Sequence, residues 1–325
     1  MKVAIEKIEY YLPKNKLDGK ELLRDNPDWR IQDIEAKTGI TRRYKAGIGE
    51  SVIDMAEKAA NKLFATNIDI DKASIDFLIL VTQVSSYTLP TSACILQDRL
   101  GLETSTMAFD VNLGCSGYVY ALSIATGLIE SGQADRGLII CSDHYTSKID
   151  PHDRTCRPIF SDAAAATIVG RSLIDGISSF DLGTNGSGYK DLIIPNDGDD
   201  IEGAKPGFLH MAGAAVFLFT MNTVPKTIKN VLAKSGKKMT DVDLFVFHQA
   251  SKVVIDKITA NLNLPIEKVY TNYQQIGNTV SSTIPIALKD AYEDGSLRAG
   301  DCSMLVGFGV GLSWGSCIVE TADLS

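Results

Sequence analysis

Three residues in this chain carry groups from which a nucleophilic site could be built: a thiol at Cys115, an imidazole at His248 and a primary amide at Asn278. Cys115 lies in AFDVNLGCSGYVYALSIATGLIE, where a short apolar strand (108–111) turns at Asn112-Leu113-Gly114 into a long apolar helix from about Ser116. The first N–H groups of a helix have no partner inside it, and the helix dipole favours negative charge there. The position therefore predicts a cysteine with a lowered pKa and more of the nucleophilic thiolate. Gly114 and Gly117 are expected to leave room for a substrate at the sulfur. His248 ends the apolar run LFVF, and Asn278 follows Gly277 in QIGNTVSS. Taken singly, each residue has a plainer role: a small core thiol, a satisfied core histidine, a turn residue in left-handed geometry.

The elements that must position these residues read as buried strands alternating with helices. Residues 3–12, 75–82, 137–141 and 160–169 have the length and apolar character of strands, the last with a bend at Ser161-Asp162. Helices are predicted over 18–25, 29–37, 51–65 and 92–100, with Ser51 capping the third. Arg42, Arg43 and Lys45 read as a solvated basic face. The order then repeats. IDFLILVTQ (75–83) is echoed by VDLFVFHQ (242–249), and NLGCSGYVYAL (112–122) by QIGNTVSSTIPIAL (275–288). RGLIICSD is echoed by SMLVGFGV, and FSDAAAATIVG by LSWGSCIVE. The offset is 163 to 167 residues in the first three pairs and 152 in the fourth, the signature of a duplication. The chain is thus expected to be α/β, with mostly covered sheets in two similar halves, 1–171 carrying Cys115 and 172–325 carrying His248 and Asn278. Two-fold related halves would bring Cys115, His248 and Asn278 to one site between them.

Composition sets the outer bounds. The chain has 325 residues, 45% hydrophobic and 22% charged, with a formal net charge of -8. That balance suits a globular protein and argues against general nucleic-acid binding. Cys94, Cys115, Cys141, Cys156, Cys302 and Cys317 show no CxxC spacing, which predicts reduced thiols in the cytoplasm and neither disulfides nor a metal site. There is no signal-peptide pattern and no apolar run of membrane-spanning length. The glycines of GFGVG do not match the dinucleotide fingerprint GxGxxG.

NLGCSGY, FVFHQAS, IGNTVSS and GFGVGLSWGS resemble, in order and over essentially the whole chain, the thiolase superfamily and specifically β-ketoacyl-acyl-carrier-protein synthase III. The resemblance implies a duplicated αβαβα layered fold, a homodimer and no cofactor. It implies that acyl-CoA and a malonyl thioester, on CoA or acyl carrier protein, are the substrates. Cys115 would take the acyl group, the backbone N–H groups of Cys115 and Val310 would form the oxyanion hole, and His248 Nε2 with the Asn278 amide would donate hydrogen bonds to the malonyl thioester carbonyl. Phe308 would press on the departing carboxylate. Trp29 and Arg154 correspond to positions that hold the CoA adenine, Leu89 to one that shapes the acyl pocket across the dimer interface. Phe160, Lys252 and Gly309 also fall at substrate-facing positions.

The chain departs from the family pattern where carrier and primer are recognised. Leu218, Val253 and Ala260-Asn261 stand at positions often basic, and Leu89 at one often Phe, so a primer other than acetyl is expected. Three other readings stay open: a relative that passes the acyl group to an alcohol or amine, a papain-type Cys-His-Asn hydrolase, and a non-catalytic carrier-binding subunit.

Overall fold

Two sheets of the same design frame the molecule. The computed structural model describes residues 2–173 and 176–324, so Ile174 and Asp175, within the expected junction of the halves, lie outside the described residues. The first sheet contains β1 (Lys2–Tyr11), β2 (Phe77–Val81), β3 (Met107–Val111), β4 (Arg136–Asp143) and β5 (Ala163–Ser172), in the order β1-β5-β4-β2-β3. The second contains β6 (Ile177–Thr184), β7 (Leu244–Phe247), β8 (Cys302–Gly309) and β9 (Ser313–Glu320), in the order β7-β8-β9-β6. In the first sheet β2 is parallel to β4 and β3, while β5 is antiparallel to β4 and β1. In the second, β7 is parallel to β8, and β9 is antiparallel to β8 and β6. A single parallel bridge from Phe245 to Val269 occupies the place that β3 takes in the first sheet.

Strand periodicity sets the layers. In β2, Phe77, Ile79 and Val81 point to one face and Leu78 and Leu80 to the other, all fully buried. In β7, Leu244 and Val246 oppose Phe245 and Phe247 in the same way. Among the described residues, seven α-helices of eight or more residues fill the spaces: α1 (Ile31–Thr38), α2 (Val52–Thr66), α3 (Ser92–Arg99), α4 (Gly117–Glu130), α5 (Gly213–Ser235), α6 (Lys252–Leu262) and α7 (Thr283–Glu293). One core cluster joins Tyr118, Leu122 and Ala125 of α4 with Ile284 and Leu288 of α7 and with the inward residues of both sheets. The helices α4 and α7 therefore form a middle layer. The α2 and α3 helices cover the outer face of the first sheet, and α5 and α6 that of the second. The result is five layers, αβαβα. The α4 helix touches sheets on both sides, which is why its sequence is apolar nearly all round.

The helix starts follow local chemistry. Ser51 and Asp54 form a reciprocal capping box ahead of α2, and Gly39 closes α1 in left-handed geometry at φ 72°. The sequence analysis assigned no elements between 176 and 235, where β6 and α5 lie. One expectation is corrected. Arg43 is fully buried rather than solvated, and its guanidinium donates to the carbonyls of Pro158 (2.8 Å) and Ile40 (3.4 Å). Burial lowers its pKa to about 10. Among the described residues no helix is long and apolar enough to cross a membrane.

Candidate active site

Cys115 sits at the turn from β3 into α4 and is buried. The backbone N–H groups of Cys115 and Val310 favour the charged form of its sulfur. Burial pushes the thiol up to about 12, with the nearby Asp143 carboxyl adding to the rise and the two N–H donors opposing it. The expected lowered pKa is therefore reversed. The helix begins inside the molecule, where losing water costs the thiolate more than the donors return. The glycines also divide their work differently. A Cβ at Gly114 would stand 2.3 Å from Gln83 Oε1, and one at Gly117 would stand 2.5 Å from Val81 Cγ1, so both serve packing. Gly309 keeps the sulfur open, because a Cβ there would lie 2.9 Å from Sγ.

His248 follows β7, and its N–H bonds the carbonyl of Val306 at 2.8 Å. Its Nδ1 is 2.8 Å from Thr283 Oγ1. The Thr283 hydroxyl has one hydrogen, which it donates to Val280 O at 3.0 Å. Nδ1 must then carry the proton in the His248–Thr283 bond, leaving the lone pair on Nε2. Burial drives the imidazole pKa down to about 3, so the ring is neutral. The ring of Phe308 meets it edge-on, with centroids 5.6 Å apart at 84°.

Asn278 Nδ2 is 3.4 Å from His248 Nε2, and Asn278 Oδ1 accepts the Val280 N–H at 2.9 Å. That second bond orients the amide, with its NH₂ group toward His248. Left-handed geometry here falls on Gly277 (φ 78°) and Val280 (φ 58°), and a β-branched residue rarely adopts it. The turn is held from both sides. Asn278 N–H donates to Ile159 O at 3.0 Å, and Ser161 N–H donates to Asn278 O at 2.9 Å, which zips the second half onto the first. Arg43 packs behind Gly277. Further along, the N–H and hydroxyl of Ser281 donate to the buried carboxyl of Asp143, which also accepts the Gln83 N–H at 3.0 Å. Burial raises the Asp143 pKa to about 7, against the pull of these hydrogen bonds. Asp143 and Thr283 were not singled out in the sequence. The only signal for Asp143 was a carboxylate closing an otherwise buried run, RGLIICSD.

Cys115, His248 and Asn278 line one cavity of 860 Å³ together with Phe160, Phe308, Gly309 and Arg154. Val310 lines a second cavity of 270 Å³ on the other side of the Cys115 turn. Trp29, Leu89 and Lys252 line neither. Leu89 is exposed, and Lys252 is paired with Asp256.

A thiol, a neutral imidazole and an oriented amide, meeting where two sheets of one design face each other, define a thiolase-like condensing-enzyme fold. Comparison with known proteins makes the assignment narrower. Family models of 3-oxoacyl-[acyl-carrier-protein] synthase III match residues 109–186, and residues 232–321 for its C-terminal part. The chain is 33% identical over 328 residues to the β-ketoacyl-[acyl-carrier-protein] synthase III of Clostridioides difficile strain 630, covering 98% of each chain. It superposes on a crystal structure of a 3-oxoacyl-(acyl-carrier-protein) synthase III with TM-score 0.94 at 40% identity, covering 98% of this chain and 100% of that one. It also superposes on the 3-oxoacyl-(acyl-carrier-protein) synthase of Burkholderia xenovorans LB400 with TM-score 0.94 at 32% identity, covering 100% and 95%. The chain belongs to the β-ketoacyl-acyl-carrier-protein synthase III family, whose chemistry is thiolase-superfamily condensation and acyl transfer.

Proposed function

We propose that this chain catalyses decarboxylative Claisen condensation of an acyl thioester with a malonyl thioester, giving a β-ketoacyl thioester for fatty-acid or related biosynthesis. The observation that carries this reading is the convergence of Cys115, His248 and Asn278 on one cavity, with His248 and Asn278 3.4 Å apart.

The cycle starts from a neutral pair. As the Cys115 sulfur attacks the acyl thioester carbonyl, its proton passes to the lone pair on His248 Nε2. The N–H groups of Cys115 and Val310 take the developing oxyanion, a contribution of about 3–4 kcal/mol per donor in comparable sites. The carrier thiolate leaves and collects the proton from Nε2. The malonyl thioester then enters, and its carbonyl oxygen accepts from the Asn278 NH₂. His248 Nε2 joins as a second donor in the other ring tautomer, in which Nδ1 gives its proton to water, Nε2 takes one from water, and the Thr283 hydroxyl turns from Val280 O to donate to Nδ1. Carbon dioxide departs against Phe308, and the apolar ring disfavours the charged carboxylate relative to the neutral product. The enolate attacks acyl-Cys115, the new C–C bond forms, and the Cys115 thiolate is released and reprotonated. The acyl donor and malonyl carrier are acyl-CoA and malonyl-CoA or malonyl-acyl-carrier protein, and the working form is a cytoplasmic homodimer with Leu89 at the interface.

The test is intact-mass spectrometry after incubation with acyl-CoAs, followed by measurement of CO₂ released from malonyl thioester. One added acyl group, lost in Cys115→Ala, with malonyl-dependent CO₂ release, is the expected result. Acyl-enzyme in Cys115→Ala would overturn the scheme. Loading without CO₂ release would favour transfer to an alcohol or amine.

A further inference from the structure

The two N–H groups that favour a charged Cys115 sulfur come from different halves of the chain. Val310 lies at the tip of the hairpin between β8 and β9, where Gly309 pairs with Ser313. The β8 strand runs directly over the nucleophile: a Cβ on Gly307 would stand 2.7 Å from both Cys115 O and Ser116 Cα. Two buried serines tie the tip to that turn. The Ser313 hydroxyl lies 2.7 Å from Val310 O, which can only accept, so Ser313 donates its one hydrogen there. Ser116 Oγ lies 2.7 Å from Ser313 Oγ, and with the Ser313 hydrogen spent, Ser116 is the donor between them. The relay therefore has one direction, from Ser116 through Ser313 to Val310 O. Ser116 occupies the N-cap position of α4, where a serine ordinarily accepts from the first turn, yet it accepts no cap bond among the described residues. Ser51 ahead of α2 does cap its helix. The Ser116 hydroxyl is thus turned from its own helix to the opposite half. Both serines are 1% exposed, so bulk water does not compete for these bonds. The main-chain bonds between Leu312 and Asn185, at 2.7 and 3.1 Å, stay within the second half and do not reach Cys115.

We propose that Ser116 and Ser313 are positioning residues for the oxyanion hole, their hydroxyl relay setting the Val310 N–H against the oxygen of the thioester carbonyl that Cys115 attacks. This rests on the reading that Cys115 is the acylated residue. Neither serine lines either cavity. Ser313 holds the tip directly and Ser116 acts through Ser313, so Ser313 has the larger effect. The turn that carries Asn278 is held by other groups, Val280, Ile159 and Ser161, and His248 by Thr283. The relay therefore serves attack on the acyl thioester and not the release of carbon dioxide.

The experiment separates the two half-reactions on the full chain. Loading of Cys115 from acetyl- or butanoyl-CoA, whichever the wild type takes faster, is followed as a rate constant by intact mass. Carbon dioxide release from malonyl thioester is then measured per acylated chain. An unfolded fraction changes neither quantity. Ser313→Ala is expected to slow loading about tenfold and Ser116→Ala about threefold, with carbon dioxide release per acylated chain within about twofold of wild type in both. Ser313→Thr keeps the hydroxyl and is expected to recover most of the loading rate. Because Ser116 acts through Ser313, the double alanine variant is expected to load no more slowly than Ser313→Ala alone. Should Ser313→Ala fail to fold, Ser116→Ala carries the same split. Unchanged loading, an equal fall in both half-reactions, or additive effects in the double variant overturn this proposal alone. A wild type that takes no acyl group from any acyl-CoA or acyl-carrier protein overturns the Cys115 reading and this proposal with it.

Discussion

The two turns that meet at the site are topological counterparts, yet they are held in opposite ways. At Cys115, main-chain N–H groups of Cys115 and Val310 favour the charged sulfur, and among the described residues no side chain does so. At Asn278, the reacting side chains are themselves oriented by hydrogen bonds. Val280 N–H fixes the amide oxygen, the Thr283 hydroxyl fixes His248, and Asp143 anchors Ser281. The difference follows from chemistry. A thiol has no orientation to choose, and the oxyanion it generates needs only donors, which main-chain groups supply without flexibility. An amide and a neutral imidazole each present donor or acceptor depending on which way they face, so their surroundings must choose for them.

The largest effect should come from breaking the second turn while leaving the first intact. Asn278→Ala removes a donor to the malonyl carbonyl but none of the donors on Cys115. CO₂ release from malonyl thioester is expected to fall by about 10²–10³, as for other single oxyanion donors. Loading of Cys115 from acyl-CoA, followed by intact mass, is expected to change by less than about threefold. An equal fall in both half-reactions would mean that the turns do not divide the labour.

How much of this was legible in the sequence follows the same division. The alternation of buried strands with helices, the two similar halves and the counterpart positions of Cys115 and Asn278 could be read because duplication and strand periodicity are patterns spread over many residues, whereas the five layers came from the family resemblance. His248 and Asn278 could be found because they occupy echoed places. Arg43 was misread because two of its neighbours, Arg42 and Lys45, carry the same charge, and only tertiary contacts with Pro158 and Ile40 distinguish it. The Cys115 pKa was misread because position at a helix start is local, whereas desolvation depends on both halves closing over the turn. Thr283 left no pattern, and Asp143 only a carboxylate at the end of a buried run. Their partners lie at sequence separations of 35 and 138 residues, which no local spacing encodes.

A smaller effect is expected from the hydroxyl that sets the imidazole. Thr283→Val keeps shape and removes the acceptor for Nδ1–H, so the Nδ1–H tautomer loses its preference. Loading of Cys115, which uses the Nε2 lone pair, is expected to slow about tenfold, the worth of one buried hydrogen bond. Thr283→Ser is expected to restore it. Nitrogen NMR of the His248 ring gives the direct readout: a protonated Nδ1 in the wild type and a shift toward protonated Nε2 in the variant. A wild-type ring already protonated at Nε2 would remove the basis for assigning Thr283 this part.

The smallest effect concerns Asp143, the one residue that serves both turns, raising the thiol at one and anchoring the loop at the other. Its pKa is raised from 3.8 to about 7 by burial. Between about pH 4 and 7 the native chain therefore holds a proton that the unfolded chain has released. Stability contributed by this group is present below about pH 4, declines as pH rises through that window, and is level above about 7. Asp143→Asn deletes the titration, so its melting temperature relative to wild type is expected to improve steadily from pH 4.5 to 7.5. A difference that stays flat across the window would show that Asp143 ionises at an ordinary pKa. The Ser281 and Gln83 donors would then be enough to solvate the carboxylate, whose charge would add to the rise at Cys115 throughout that window.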